Sequence, residues 1–172
     1  RGGQPAVEAR SKRMLHVDGS DFKDLNGNGD LDDYEDWRLP VEDRVKDLID
    51  RMTIEEKVGL MFHPWISMGN NGEVCETSDF MGVQTTDAIL NLHIRHFLNN
   101  GMIKPDKMAG WSNKVQAIAE GSRLGIPLNI SSDPRHHVIT YPIVYSPEAE
   151  YISCLLYTSP SPRDRTRSRM PS

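Results

Sequence analysis

The chain has 172 residues, 25 acidic and 20 basic, with a formal net charge of −5. That length holds one domain with a real core, and the acidic balance excludes the basic face of a nucleic-acid binder. No apolar run reaches the roughly 18 residues of a membrane span.

Residues 1–20 are polar and read as an irregular, extended arm. The stretch DLNGNGDLDDYE, residues 24–35, follows with oxygen-bearing side chains at alternate positions, a central glycine and a closing glutamate. In LPVEDRVKDLIDRM, Val41, Val45, Leu48, Ile49 and Met52 fall on one face of a helix over 40–52, and Pro40 suits its first turn. Thr53 opens a second helix with Glu56 three residues on, a capping box, and Val58 and Met61 continue an apolar face. Residues 63–85 carry Gly, Asn and Ser without a clear period and read as a long loop. A short helix over 86–92 leads to HIRHFL, 93–98, a strand ended by Asn99, Asn100 and Gly101. The spacing of Trp111, Val115, Ile118 and Ala119 predicts a helix over 108–125, closed by Gly125 and Pro127. PLNISS, 127–132, is a strand, and Asp133-Pro134 a turn. Strand, helix, strand with a crossover-length connection predicts a parallel pair. Such a unit puts functional residues at the carboxyl ends of its strands, where Asp133, Arg135 and His136 stand.

The loop matches the EF-hand pattern in full, with Asp24, Asn26, Asn28, Asp30, Asp32 and Glu35 at ligand positions and Gly29 at the sharp turn. It predicts a Ca2+ site. A calcium sensor needs a helix on each side and a partner loop; HVDGSDFK before the loop is not helical and no second loop appears, so a single structural Ca2+ is expected. The other reading is an Asx-rich turn that binds nothing. For SSDPRHH, 131–137, spacing alone favours an Asp-Pro turn with surface charges over a ligand cluster of Asp133, Arg135 and His136. His93 and His96, three apart on a strand, face opposite sides and make no metal pair. Cys75 stands in a polar loop with nothing to activate it. Glu55-Glu56 reads as helix N-terminal charge plus the cap.

The carboxyl-terminal stretch CLLYTSPSPRDRTRSRMPS, 154–172, has no hydrophobic periodicity. CLLYTSPSPRD resembles the translation of a transposase-type sequencing adapter, and SRMPS that of the outer adapter. Arg165, Thr166 and Arg167 between them leave room for an index in phase. Residues 154–172 are therefore expected to be non-native and are set aside for fold reasoning. They hold four Arg and one Asp, so the remainder has 16 basic and 24 acidic residues, net −8, with Cys75 as its one cysteine.

The stretch DLNGNGDLDDYEDWRLPVEDRVKDLIDRMTIEEKVGLM, followed by GWSNKVQAIAEGSRLGIPLNISSDPRH, resembles the start of a glycoside hydrolase family 3 enzyme, a β-glucosidase-like, exo-acting glycosidase. The resemblance covers roughly residues 4–137, with MTIEEKVGLM and LGIPLNISSDPRH as its specific parts. It implies an α/β fold: the amino-terminal portion of a (β/α)8 TIM-like barrel over 40–137, preceded by an arm, 1–39, with the EF-hand-like calcium loop. HIRHFL and PLNISS would be its first two strands. The resemblance makes Asp133 a ligand of sugar hydroxyls, with Arg135 and His136 in the same turn. His137 departs from the family's usual glycine, and HVITYPIVYSPEAEYIS does not resemble the expected continuation, so 138–153 stands apart. The implied reaction is retaining hydrolysis by two carboxyl groups about 5–5.5 Å apart. Neither group lies in this chain, so no catalytic residue is assigned. As written the chain is expected to be inactive, and its unpaired strand edges predict poor solubility. The parent's partner would be an oligosaccharide or β-glucoside, with a periplasmic or extracellular location. The competing reading is a non-catalytic calcium-binding module of dockerin or EF-hand kind.

Overall fold

A computed structural model describes residues 5–76, 83–100 and 105–131, apart from the side chains of Asn70 and Asn100. It is a mixed α/β arrangement. A two-stranded hairpin, β1 (Arg13–Val17) and β2 (Ser20–Asp24), precedes two helices, α1 (Val41–Arg51) and α2 (Ile54–Gly59). Then come β3 (Trp65–Ser67), α3 (Thr85–Leu90), β4 (His96–Asn100), α4 (Pro105–Glu120) and β5 (Asn129–Ser131).

The hairpin corrects the reading of residues 1–20 as an irregular arm. β1 and β2 pair antiparallel, with Val17 opposite Ser20. Asp18 and Gly19 between them both have positive φ, 52° and 74°, the geometry of the tight turn whose twist matches that of a hairpin.

α1 forms where the apolar period predicts it, with Pro40 at the cap rather than inside the first turn. Its predicted apolar face is largely uncovered: Val41 is 63% exposed, and Val45 and Ile49 nearly half so, while only Met52 beyond its end is buried. α2 carries the capping box in both directions: Thr53 Oγ1 accepts from the Glu56 N–H and the Glu56 carboxylate accepts from the Thr53 N–H. Val58 within it and Met61 beyond its end are also exposed.

β3, β4 and β5 form one parallel sheet in that order. Trp65 pairs with Leu98, and His96, Phe97 and Leu98 pair with Asn129, Ile130 and Ser131. The expected parallel strand–helix–strand unit is therefore present, and it has a third strand. β3 lies within 63–85, read from the sequence as loop; its three residues are too few to show a period. β4 begins at His96, not at 93: His93 has φ 56° and Arg95 lies before the strand. α4 ends at Glu120, and the chain turns through Ser122 and Gly125, the latter at φ 61°.

Strand alternation sorts the sheet into two faces. Ile66, Phe97 and Ile130 meet α3 and α4, and the main core gathers Ile66, Ala88, Ile89, Ile94, Phe97, Trp111, Val115, Ala119 and Leu128. Trp65, His96, Leu98, Asn129 and Ser131 lie on the other face. A second, smaller core of Tyr34, Met52 and Leu124, joined by Leu25, Leu48, Leu60 and Ile126, ties the acidic loop and α1 to the segment entering β5.

Candidate functional site

Two places carry the predicted site residues. The first is the 24–35 loop. It leaves β2 at Asp24 and is folded by its own side chains. Asn26 Oδ1 accepts from the Asn28 N–H at 3.0 Å, and Asn28 Oδ1 accepts from the Asp30 N–H at 2.9 Å. Gly27 and Gly29 supply positive φ, 77° and 88°, which residues with a Cβ rarely adopt. The Gly29 N–H donates back to Asp24 Oδ2 at 3.1 Å. Glu35 returns across the loop: Oε1 accepts from the Leu25 N–H at 2.6 Å and the Asn26 N–H at 3.2 Å, and Oε2 from the Asp32 N–H at 3.2 Å. Burial pushes the Glu35 carboxyl above its ordinary value, against the pull of those amides. Burial, and then the Glu35 charge, push the Tyr34 hydroxyl strongly up.

The donor set consists of hard oxygens, the kind that holds Ca2+. Asp24 is 2% exposed and, among the described residues, its Oδ1 has no hydrogen-bond partner. A buried carboxylate oxygen without a donor is costly, and a bound cation would satisfy it. In this respect the residues fit the ion. Protein cations share the same carboxylates: Arg13 Nη2 lies 3.4 Å from Asp24 Oδ2, and Arg51 Nη2 lies 2.7 Å from Asp32 Oδ1. Asp32 Oδ2 accepts from the amides of Asn26 at 2.5 Å and Asn28 at 2.9 Å. Among the described residues no three His, Cys, Asp or Glu side chains converge as a metal cage. The EF-hand sequence pattern is thus folded as a compact loop whose acidic side chains are partly engaged by arginines.

The second place is the carboxyl end of β5. Asp133, Arg135 and His136 lie outside the described residues, as do segments 138–153 and 154–172. Ser131, two residues before Asp133, is described. Its Oγ donates to the Phe97 carbonyl at 3.3 Å and stands 2.8 Å from His63 Nε2. His96 Nδ1 is 3.3 Å from Asn129 Nδ2, and the rings of His63 and His96 meet edge-on with centroids 6.3 Å apart. His93 and His96, which the sequence gives no reason to pair, stay apart, and His96 meets His63 instead. His93 precedes the strand, and His63, from before β3, reaches the sheet face that His96 and Ser131 share.

Three tethers were not visible in the sequence. Glu120, at the end of α4, accepts from the backbone N–H groups of Arg10 and Ser11 at 2.8 and 2.9 Å and from Lys23 Nζ at 2.9 Å. It thereby holds the hairpin against the helix. Burial works to raise its carboxyl, but Lys23 and the two amides outweigh it and hold the carboxyl down at about 2. Glu56, besides capping α2, takes the Arg123 guanidinium, with Nε at 3.0 Å. Arg123 Nη2 also donates to the Arg51 carbonyl at 2.9 Å. Arg95 is buried, with Nη1 donating to the Ile89 and Ile94 carbonyls at 2.6 and 2.9 Å. Partners more than 60 residues apart, as for Glu120 and Glu56, leave no local spacing to read.

No family model matches the chain. Over 133 residues, 77% of the chain, it is 39% identical to a periplasmic beta-glucosidase/beta-xylosidase of Dickeya chrysanthemi, of which that stretch is 20%. It is 38% identical over 104 residues, 60% of the chain, to beta-glucosidase C of Emericella nidulans, and 36% identical over 109 residues, again 60%, to a probable beta-glucosidase C of Aspergillus oryzae. The chain spans one fifth or less of the length of these relatives, 16% for the two fungal proteins. The likeness to family 3 β-glucosidases read from the sequence is shown over 60–77% of the chain.

Proposed function

We propose that the chain is the amino-terminal portion of an exo-acting, retaining family 3 β-glucosidase, carrying one wall of the sugar subsite and not the catalytic carboxyl pair. The observation that supports this most is the 39% identity over 133 residues, in a stretch folded as a parallel sheet with helices on one face. That sheet is the beginning of a (β/α)8-type barrel, whose substrate side is the carboxyl ends of the strands. Asp133, two residues beyond β5, then accepts hydrogen bonds from hydroxyls of the sugar that is cleaved. Arg135 and His136 flank it. The substrate of the parent is an oligosaccharide or β-glucoside.

In the full-length parent, Asp133→Asn would lower kcat/KM on an aryl β-glucoside about 10- to 100-fold, the worth of a charge-assisted hydrogen bond. An unchanged value would contradict the assignment. The purified 172-residue chain would hydrolyse none; measurable turnover by it would contradict the placing of the carboxyl pair elsewhere.

The 24–35 loop is proposed to hold a structural Ca2+ through Asp24, Asn26, Asn28, Asp30, Asp32 and Glu35. The buried Asp24 Oδ1, without a hydrogen-bond partner among the described residues, supports this. The ion would neutralise the loop's carboxylates and keep the hairpin and α1 in one frame. Isothermal titration with CaCl2 tests it: binding lost in Asp24→Ala is expected, and no heat at millimolar Ca2+ would sink it. The same oxygen favours the second reading, a calcium-binding module without catalysis, which predicts no sugar affinity in any length of the chain. Among the described residues no helix is long and apolar enough to cross a membrane. A periplasmic or extracellular location is proposed, by analogy with the Dickeya chrysanthemi relative.

A further inference from the structure

We infer that the 24–35 loop sets the position of β5 through packing of Leu25 on Gly125. This rests on the reading of the loop as a Ca2+ site. Leu25 lies between two of the proposed ligands and contributes no side-chain oxygen. Its own N–H is held by Glu35 Oε1 at 2.6 Å. Its side chain is pressed against the chain just before β5: a Cβ on Gly125 would lie 2.9 Å from Leu25 Cδ2 and 3.1 Å from its Cβ. Glycine is needed at 125 twice, for that contact and for φ 61°.

The contact is set in the smaller core. Leu124, 3% exposed, packs with Tyr34 from the loop and Met52 from the end of α1, with Leu25 and Ile126 against them. The loop has a second connection to the same segment. Asp32 is held by Arg51, the Arg51 carbonyl accepts from Arg123, and Arg123 also grips Glu56. Both halves of the loop therefore bear on residues 123–126, one directly and one through Arg51. From Gly125 only Ile126, Pro127 and Leu128 separate the contact from β5. Pro127 fixes its own φ, and Leu128 is bound to Gln116 in both directions, N–H to Oε1 at 2.9 Å and carbonyl from Nε2 at 2.8 Å. A shift of Leu25 is passed along a short, tightly held segment. Drawing Asp24, Asp32 and Glu35 together around a cation would move both connections at once.

The test is hydrogen exchange at the Asn129, Ile130 and Ser131 amides of the full chain, in Ca2+ and in EDTA, beside calorimetric Ca2+ binding. Bound Ca2+ should slow exchange there about tenfold. Leu25→Ala should still bind Ca2+ and lose the slowing. Leu25→Val, which trims the contact without emptying it, should keep part of it, so a folding failure of the alanine variant leaves the experiment decisive. Ca2+ bound without slowing, or slowing unchanged in both variants, overturns the coupling and leaves the Ca2+ site standing. No Ca2+ binding at all overturns both.

Discussion

Glu120 and Lys23 are 97 residues apart in sequence and joined at 2.9 Å. With the Arg10 and Ser11 amides on the same carboxylate, that pair helps to hold the amino-terminal hairpin to the last described helix. Arg10 Nη1 and Lys12 Nζ add bonds to the Asn113 and Ser122 carbonyls at 2.7 and 2.8 Å, so an arm that the sequence presents as loose polar chain is fastened around one buried acid.

The fastening is pH-dependent, and its sign follows from the depressed carboxyl. Glu120 sits at about 2, below the ordinary 4.5. Its contribution is complete above the unfolded value and is lost as pH falls from 4.5 towards 2. The hairpin amides, Arg13–Asp24, are expected to lose hydrogen-exchange protection across that window before those of α4. In Glu120→Gln the lost charge-assisted bond costs about 1.5–3 kcal/mol, and protection becomes flat over the same range. A wild-type pH profile equally flat would show the tether lies elsewhere.

Glu56 combines a cap and an ion pair. Burial raises its carboxyl, and Arg123 with the Thr53 amide more than offsets this, holding it below its ordinary value. Glu56→Ala removes the one carboxylate that serves both Arg123 and the Thr53 N–H, with an expected loss of about 2–4 kcal/mol. Arg123→Ala leaves the cap and should cost less. Chemical denaturation of the two variants side by side checks the order, and equal losses would mean that the ion pair carries all of it.

Trp111 is 1% exposed at the centre of the main core, yet among the described residues its Nε1 has no hydrogen-bond partner. Within them the indole acts as apolar volume. Trp111→Phe should therefore cost under about 1.5 kcal/mol, against roughly 3–5 kcal/mol for Trp111→Ala. Thermal melts that placed the phenylalanine variant as low as the alanine one would point to an acceptor for the indole.

Where the period was long enough, the sequence already told the element. α1, α4 and the capping box of α2 follow from spacing, and the parallel relation of β4 and β5 follows from the helix between them. β3 escaped because three residues show no alternation. The hairpin leaves a local signal, Asp18-Gly19 between RMLHV and SDFKD, the pattern of a tight turn. α1 was read correctly as a helix, but its apolar face says nothing of what covers it. Asp24 to Glu35 matched a motif position by position, whereas the arginines that share its carboxylates, Arg13 and Arg51, come from β1 and α1 and obey no motif. Glu120, Arg123 and Gly125 work through tertiary contacts, which a single sequence does not display.

The proposal that carries most is that this chain is a portion of a family 3 β-glucosidase, with residues 154–172 proposed to be foreign to it. Sequencing the source DNA across codons 130–160 and onward, with adapter sequence trimmed, tests it most directly. The account predicts a frame that departs from CLLYTSPSPRD and runs into further strand–helix repeats, with an aspartate at a later strand end. A frame that ends with SRMPS in the source itself would contradict it, and Ca2+ binding by the 24–35 loop would be the function left to pursue.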